Sequence, residues 1–242
     1  MPTVSKWMAD AMERLFSNQF HPVRVTQTEM IDSQLKRVRF QGDLSCTEYV
    51  VGNVIEFRVS DREFRHYTPA SFDKEQGVCD VLFYLHGLGP GSEWVDQLQV
   101  DMATNLMGPG GKMALTAGQD RHVLFGDETS LGLTHGFWNA IERNGANFDA
   151  VLELEEEHRH WPQCLQMNAR ILGKSVQAPA KGILEWLEQL SEQEWRALQS
   201  ASFYLTGRAQ SIQRIKKSLK AKGIANKQIQ TMPYWADNKK GL

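Results

Sequence analysis

Arg121-His122-Val123-Leu124-Phe125-Gly126-Asp127-Glu128-Thr129 is the stretch on which the fold turns. Val123-Leu124-Phe125 is a short apolar run stopped by glycine, which reads as a buried strand, and Leu131 to Arg143 then carries helical spacing. The same form recurs downstream. Phe148 to Leu154 is a second strand, and Ile183, Leu184, Leu187 and Leu190 make a helical face. Ser191-x-x-Glu194 has the spacing of a capping box, and Phe203-Tyr204-Leu205 with Gly207 leads into a helix carrying Ile212, Ile215 and Leu219. Strands alternating with helices predict a parallel sheet covered on both faces.

Upstream the texture differs. From Val23 to about Leu115 short runs rich in Val, Phe, Tyr and Thr are interrupted by glycines, and Val54–Val59, Phe64–Tyr67 and Val81–Leu85 read as strands of an antiparallel barrel or sandwich. Gly108-Pro109-Gly110-Gly111 reads as a turn. The chain therefore divides near residue 117 into an all-β half and an α/β half. Before them, Val4, Trp7, Met8, Ala11, Leu15 and Phe16 predict an amphipathic helix within residues 1–17, leaving 18–116 and 117–242 as the two domains.

With 27 basic and 29 acidic residues in 242, no global field attracts nucleic acid or an anionic membrane. No run of eighteen apolar residues occurs, so no membrane insertion is expected. Cys46, Cys79 and Cys164 lie far apart and are odd in number, which argues against a disulfide framework or a CxxC metal site and fits a reducing cytoplasm.

Arg65-His66-Tyr67-Thr68-Pro69 is the first candidate binding group. On a strand Arg65 and Tyr67 share a face, offering a cation beside an aromatic donor with the Thr68 hydroxyl next to them, parts suited to a ligand with a phosphate at one end and a planar ring at the other. They also read as a solvated cross-strand pair. Leu85-His86-Gly87 followed by Gly89-Pro90-Gly91-Ser92-Glu93-Trp94 is the second: a strand reaching a glycine-rich turn and a helix start, where backbone amides and Ser92 could hold a diphosphate. A plain turn is the other reading. Gly126 to Thr129 and Thr206-Gly207-Arg208 both close strands, where open α/β sheets bind ligands, yet neither matches GxGxxG or the P-loop.

Taken in order, Arg65-x-Tyr67-Thr68, His86-Gly87…Gly89-Pro90-x-Ser92-x-Trp94, Gly108-Pro109-x-Gly111, Gly126-Asp127-Glu128-Thr129 and Tyr234-Trp235 resemble the siderophore-interacting flavoprotein family, a branch of the ferredoxin–NADP reductase superfamily. The resemblance implies a six-stranded antiparallel FAD-binding barrel followed by a parallel-sheet α/β domain that receives NAD(P)H, with a ferric siderophore or other ferric chelate as acceptor. It implies that Arg65 meets the FAD diphosphate, that Tyr67 and Thr68 lie along the ribityl chain and ring, and that His66, Leu85, His86, Gly91, Ser92 and Trp94 complete the cofactor site. Gly126, Asp127, Glu128 and Thr129 would line the nicotinamide pocket. Thr68, Tyr234 and Trp235 are the candidates for the reacting centre. Acceptors such as free flavin, quinone or a redox protein remain alternatives, as does a siderophore binder without turnover. Oligomeric state and the choice between NADH and NADPH stay open. Two departures stand out: Arg208 occupies a place where relatives commonly carry an acidic residue, and Pro233 one where they carry glycine.

Outside these groups, His158-x-His160 with Cys164 lacks a fourth ligand and no metal site is expected. Among Glu153, Glu155, Glu156 and Glu157 one could accept ribose hydroxyls, although a solvated acidic turn is the simpler reading. Arg214, Lys216, Lys217, Lys220 and Lys222 read as a solvated helix face, and Met102, Met107 and Met113 as core fillers.

Overall fold

The computed structural model describes residues 5–7, 11, 15, 19–87, 89–111 and 113–239. Lys6, Trp7, Ala11 and Leu15 have helical backbone, and the rest of the expected N-terminal helix lies outside the described residues. The chain forms two compact units that divide between Ala114 and Leu115.

The first unit is a seven-stranded, wholly antiparallel sheet. Its strands are β1 (Phe20–Asp32), β2 (Leu35–Gly42), β3 (Val54–Arg58), β4 (Phe64–Tyr67), β5 (Ser71–Asp73), β6 (Val78–Tyr84) and β7 (Ala103–Gly110), in the order β4-β3-β7-β1-β2-β6-β5. One helix, α1 (Pro90–Gln97), interrupts them. The two outermost strands are joined by Thr68, Pro69 and Ala70 alone. That joint spans at most about 14 Å, whereas seven flat strands would be about 29 Å across. The sheet therefore has to roll until its edges meet.

Alternation supplies the filling of this roll. Val38 and Phe40 of β2, Ile55 and Phe57 of β3, and Cys79, Val81 and Phe83 of β6 are buried in one cluster, with Phe40 and Phe57 ring centroids 4.7 Å apart. The expected six-stranded barrel is thus barrel-like with one strand more. Gly108 to Gly110, read above as a turn, end β7, a central strand paired with both β1 and β3. Of the three methionines read as core fillers, Met113 is buried but Met102 is exposed, its sulfur accepting the Gln99 backbone N–H.

The second unit is a five-stranded parallel sheet. Its strands are β8 (Arg121–Gly126), β9 (Asn147–Leu154), β10 (Arg170–Gly173), β11 (Ser202–Arg208) and β12 (Ile229–Trp235), in the order β10-β9-β8-β11-β12. Between them run α2 (Leu131–Asn144), α3 (Trp161–Cys164), α4 (Lys181–Gln189), α5 (Glu192–Leu198) and α6 (Ala209–Ala221). The β8 and β11 interiors are fully buried at Val123, Phe125, Phe203 and Leu205, against Ile183 and Leu187 of α4 and Ile215 and Leu219 of α6. Ser191 and Glu194 form the expected capping box of α5. The chain winds outward through β8, β9 and β10, then returns to place β11 on the other side of β8. Beyond the carboxyl ends of β8 and β11 the order reverses, which is where such sheets bind ligands. Among the described residues no helix is long and apolar enough to cross a membrane.

Candidate functional site

In the first unit the candidate groups gather where β4 meets α1. Arg65 and Tyr67 share a face of β4 as their spacing requires. A side chain at Gly91 would put its Cβ 2.8 Å from the Tyr67 hydroxyl and 3.5 Å from Arg65 Cγ, so glycine is what lets the first turn of α1 approach β4 this closely. Arg65 is oriented by Glu63, which accepts from Nη2 at 2.9 Å, and by the Phe64 carbonyl at 2.8 Å. Burial raises the Tyr67 phenol far above its ordinary value, against the opposing pull of Arg65, so the hydroxyl remains a neutral donor.

Helix α1 starts at Gly89 with no side-chain cap, and Pro90 sets the first turn. The first-turn amides have no intrahelical acceptor. Ser92, two residues after Pro90, is buried, and its hydroxyl has no partner among the described residues. Lys36, a residue that sequence reading missed, fixes the other end of the helix. From β2 its ammonium donates to the carbonyls of Val95 (2.8 Å), Asp96 (3.2 Å) and Leu98 (3.0 Å), favourable at a helix C-terminus. A buried lysine spent on three carbonyls tells in hindsight that the helix position matters, but no sequence pattern marks it.

The other residues of this group are placed differently. Thr68 is buried at the end of β4. Trp94 packs on Phe57 and Phe83, with centroids 5.1 and 6.3 Å away, as part of the barrel filling. Leu85 already exchanges both backbone hydrogen bonds with Gln34: its N–H donates to the Gln34 carbonyl at 2.8 Å and its carbonyl accepts from Gln34 Nε2 at 3.2 Å. His86 is exposed and lies edge-on to Tyr84. His66 faces the opposite side of β4 from Arg65 and Tyr67, where Nε2 lies 3.3 Å from Glu56 Oε2.

At the carboxyl edge of the second sheet the polar groups meet one another. Asp127 Oδ1 accepts from the Thr129 N–H at 3.0 Å and from the Thr129 hydroxyl; Oδ2 accepts from the Arg208 N–H at 3.0 Å and from Trp235 Nε1–H at 2.8 Å. One carboxylate thus ties β8, β11 and β12 together. Burial raises its pKa, with Lys174 opposing. Gly207 makes the approach feasible: it has φ 88°, and an added Cβ would lie 2.4 Å from Asp127 Oδ2.

Glu128 turns away from this junction. Its Oε1 accepts from the Glu155 N–H (2.8 Å) and lies 3.2 Å from His158 Nδ1, and its Oε2 accepts from Lys174 Nζ at 2.6 Å. Burial works to raise the Glu128 carboxyl, but the Lys174 ammonium and the donated hydrogen bonds outweigh it and hold it below the usual range. His158, considered above as a metal ligand, is committed to Glu128 and stacks on Trp161 at 4.0 Å. Glu153 Oε1 accepts from the Gly182 and Ile183 N–H groups at the start of α4, and Glu156 pairs with Arg159, so these two glutamates have structural partners.

Tyr234 and Trp235 separate. Pro233 lies opposite Gly207 and Trp235 opposite Arg208, which makes Tyr234 the extra residue of a bulge. The Trp235 ring centroid is 5.4 Å from both Lys174 Nζ and Arg208 Cζ. Asp127, Lys174, Ser175, Thr206 and Arg208 are among the residues lining a cleft with room for about one water. Lys174 and Ser175 were not singled out from sequence, because nothing in a four-residue edge strand such as β10 predicts that the residues after it turn back over β8.

A family profile described as the siderophore-interacting FAD-binding domain matches residues 56–113, and one described as siderophore-interacting protein matches residues 119–238. Ferric vibriobactin reductase ViuB of Vibrio cholerae is 26% identical over 180 residues, which are 72% of this chain and 65% of that protein's length. A siderophore utilization protein from T. fusca superposes with a TM-score of 0.71 at 20% identity, over 92% of this chain and 95% of that one. The ferredoxin reductase in carbazole 1,9a-dioxygenase superposes at 0.73 with 15% identity, over 89% and 69%. These two likenesses give the fold, and the two profiles follow each other in the order of the two units. An antiparallel barrel-like unit matched to an FAD-binding domain, followed by a parallel α/β unit matched to the siderophore-interacting profile, makes this chain a member of the siderophore-interacting protein family.

Proposed function

We propose that the chain is an FAD-dependent oxidoreductase that takes reducing equivalents from NAD(P)H and passes them to a ferric siderophore or similar ferric chelate. The observation that carries this reading is the β4–α1 corner, where a buried Ser92 hydroxyl without a partner among the described residues, uncapped helix amides and the close approach of Gly91 to Arg65 and Tyr67 lie within a segment of the FAD-binding domain family. These groups fit a diphosphate. Arg65, Gly91 and Ser92 would hold it, and Tyr67 and Thr68 would face the rest of the cofactor. Bound FAD supplies the exchange between a two-electron donor and one-electron acceptors.

The protein's own residues do the placing. Lys36 holds α1 so that its first turn faces Arg65, and Glu63 holds the guanidinium of Arg65. In the second unit Asp127 fixes the Trp235 indole and the β11 turn, shaping the crevice proposed for the nucleotide. The overall reaction balances as one NAD(P)H and two ferric chelates giving NAD(P)+, one proton and two ferrous chelates. Oxygen donors of a siderophore are hard and prefer Fe(III), so reduction loosens the iron.

The test is an anaerobic titration of the FAD-loaded protein. Flavin absorbance should bleach with NADH or NADPH and return on adding a ferric tris-catecholate, with ferrous iron captured by a colorimetric chelator. No uptake of FAD overturns the cofactor claim; bleaching without ferrous iron overturns the acceptor claim.

A further inference from the structure

We infer that Arg208 is a phosphate-binding residue of the second unit, masked by Asp237, and that the anion it receives is the diphosphate of a nucleotide. This rests on the nucleotide reading of the second unit proposed above.

Arg208 ends β11 at the place where the strand order reverses, and it lines the cleft there. Its side chain is only 9% exposed, an expensive position for a cation without anionic partners. Nε and Nη2 donate to the two oxygens of Asp237 at 2.9 and 2.6 Å, and Nη1 and Nη2 reach the carbonyls of Ser175 (3.3 Å) and Val176 (2.9 Å). The two carbonyls fix the orientation of the guanidinium. The fork it presents to Asp237 fits two phosphate oxygens as well as two carboxylate oxygens.

The other charged groups are less replaceable. Lys174 is engaged by Glu128 at 2.6 Å and by Glu155 at 3.6 Å. Asp127, Glu128 and Glu153 each accept from two or more backbone or side-chain donors inside the unit. Asp237 differs: its side chain is 34% exposed, and its carboxylate oxygens meet only Arg208 among the hydrogen bonds of the described residues. The cleft has room for about one water and Asp237 is not among its lining residues, so a diphosphate has to be received on the Arg208 fork where Asp237 now sits. The half-exposed Asp237 carboxylate is the group that can leave without stranding a buried charge, because the incoming phosphate takes its place on Arg208. The nucleotide then competes with an internal anion, and its apparent affinity is the intrinsic one multiplied by the fraction of molecules in which Arg208 is unmasked.

Calorimetric titration of the FAD-loaded full chain with ADP and, separately, with adenosine tests this. Asp237→Asn should tighten ADP binding about tenfold, the scale of one charge-assisted contact, and leave adenosine unchanged. Adding Arg208→Gln to that variant should abolish the gain. Asp237→Ser is the second variant, with the same expectation, should the asparagine variant fold poorly. Unchanged or weaker ADP binding in a folded Asp237 variant overturns the inference, and so does an equal gain with adenosine. ADP, NAD+ and NADP+ all failing to bind wild type and variants overturns the nucleotide reading itself, and this inference with it.

Discussion

At the Arg65–Ser92 corner of the first unit polar groups are left over, whereas at the carboxyl edge of the second sheet they are used up. Ser92 is buried with an unanswered hydroxyl and α1 begins uncapped. Asp127, Glu128, Lys174 and Arg208, by contrast, all have partners within the unit: Glu128 and Lys174 pair with each other, Asp127 accepts from Trp235 and the Arg208 N–H, and the Arg208 guanidinium is held by Asp237. An unanswered buried polar group costs roughly 1–3 kcal/mol, a cost that a resident ligand removes. A saturated cluster has no such deficit, so a ligand arriving there must displace contacts already made. The contrast is that expected between a site built for a cofactor that stays and one built for a substrate that comes and goes.

The largest effect that would sharpen this contrast is expected from Lys174→Met. It leaves Glu128 buried and uncompensated, and should cost about 3 kcal/mol, near the lower end for breaking a buried pair. Urea unfolding monitored separately for the two units should place the loss in the second; a loss near zero would show that Glu128 does not depend on Lys174 and that the cluster is not saturated. Next comes Arg65→Ala, which should weaken FAD binding by about 1.5–3 kcal/mol through loss of a charge-assisted contact, measured by fluorescence titration of the apoprotein.

A smaller and more telling effect is expected from Ser92→Ala. The apoprotein should be as stable as wild type or more so, because the buried hydroxyl is removed, while FAD affinity falls by about 1 kcal/mol. If the apoprotein is destabilised instead, the hydroxyl already has a partner and the contrast breaks.

The smallest effect concerns pH. Glu128 has its pKa lowered in the folded chain, so its contribution is complete above the unfolded-state value and is lost as the pH falls through the folded value. Asp127, raised by burial, works in the opposite sense, contributing at low pH and losing that contribution as the pH rises through its folded value. Stability of the second unit measured across the acid range should therefore fall less steeply than the Glu128–Lys174 pair alone would give, and Asp127→Asn should steepen it.

Much of the second unit was legible because its period is plain: β8, α2 and the α5 capping box lie where glycine, helical spacing and Ser191-x-x-Glu194 put them. The first unit was harder. β1 is thirteen residues long and presents Arg24, Gln27, Thr28 and Glu29 among few buried positions, so its period is weak until its partners are known. β7 hid behind Gly108-Pro109-Gly110, where turn residues end a strand held by two neighbours. Within the candidate site, the grouping of Arg65, Tyr67 and Gly91 was legible because strand alternation and a helix start are local facts. Lys36 and Lys174 were not, since each acquires its role only from chain brought near by long-range pairing. Tyr234 and Trp235, adjacent in sequence, separate because of a bulge that no residue type announces.

The joint of Thr68, Pro69 and Ala70 gives the first unit one more property. It is the hoop that draws the first and last staves of the wall together, and the residues just ahead of it, Arg65 and Tyr67, are the ones that face Gly91. Anything gripped at that corner also clasps the hoop, so occupancy and closure of the wall should strengthen together. Deuterium uptake at β4 and β5 should slow when the corner is filled, well before the far strands respond.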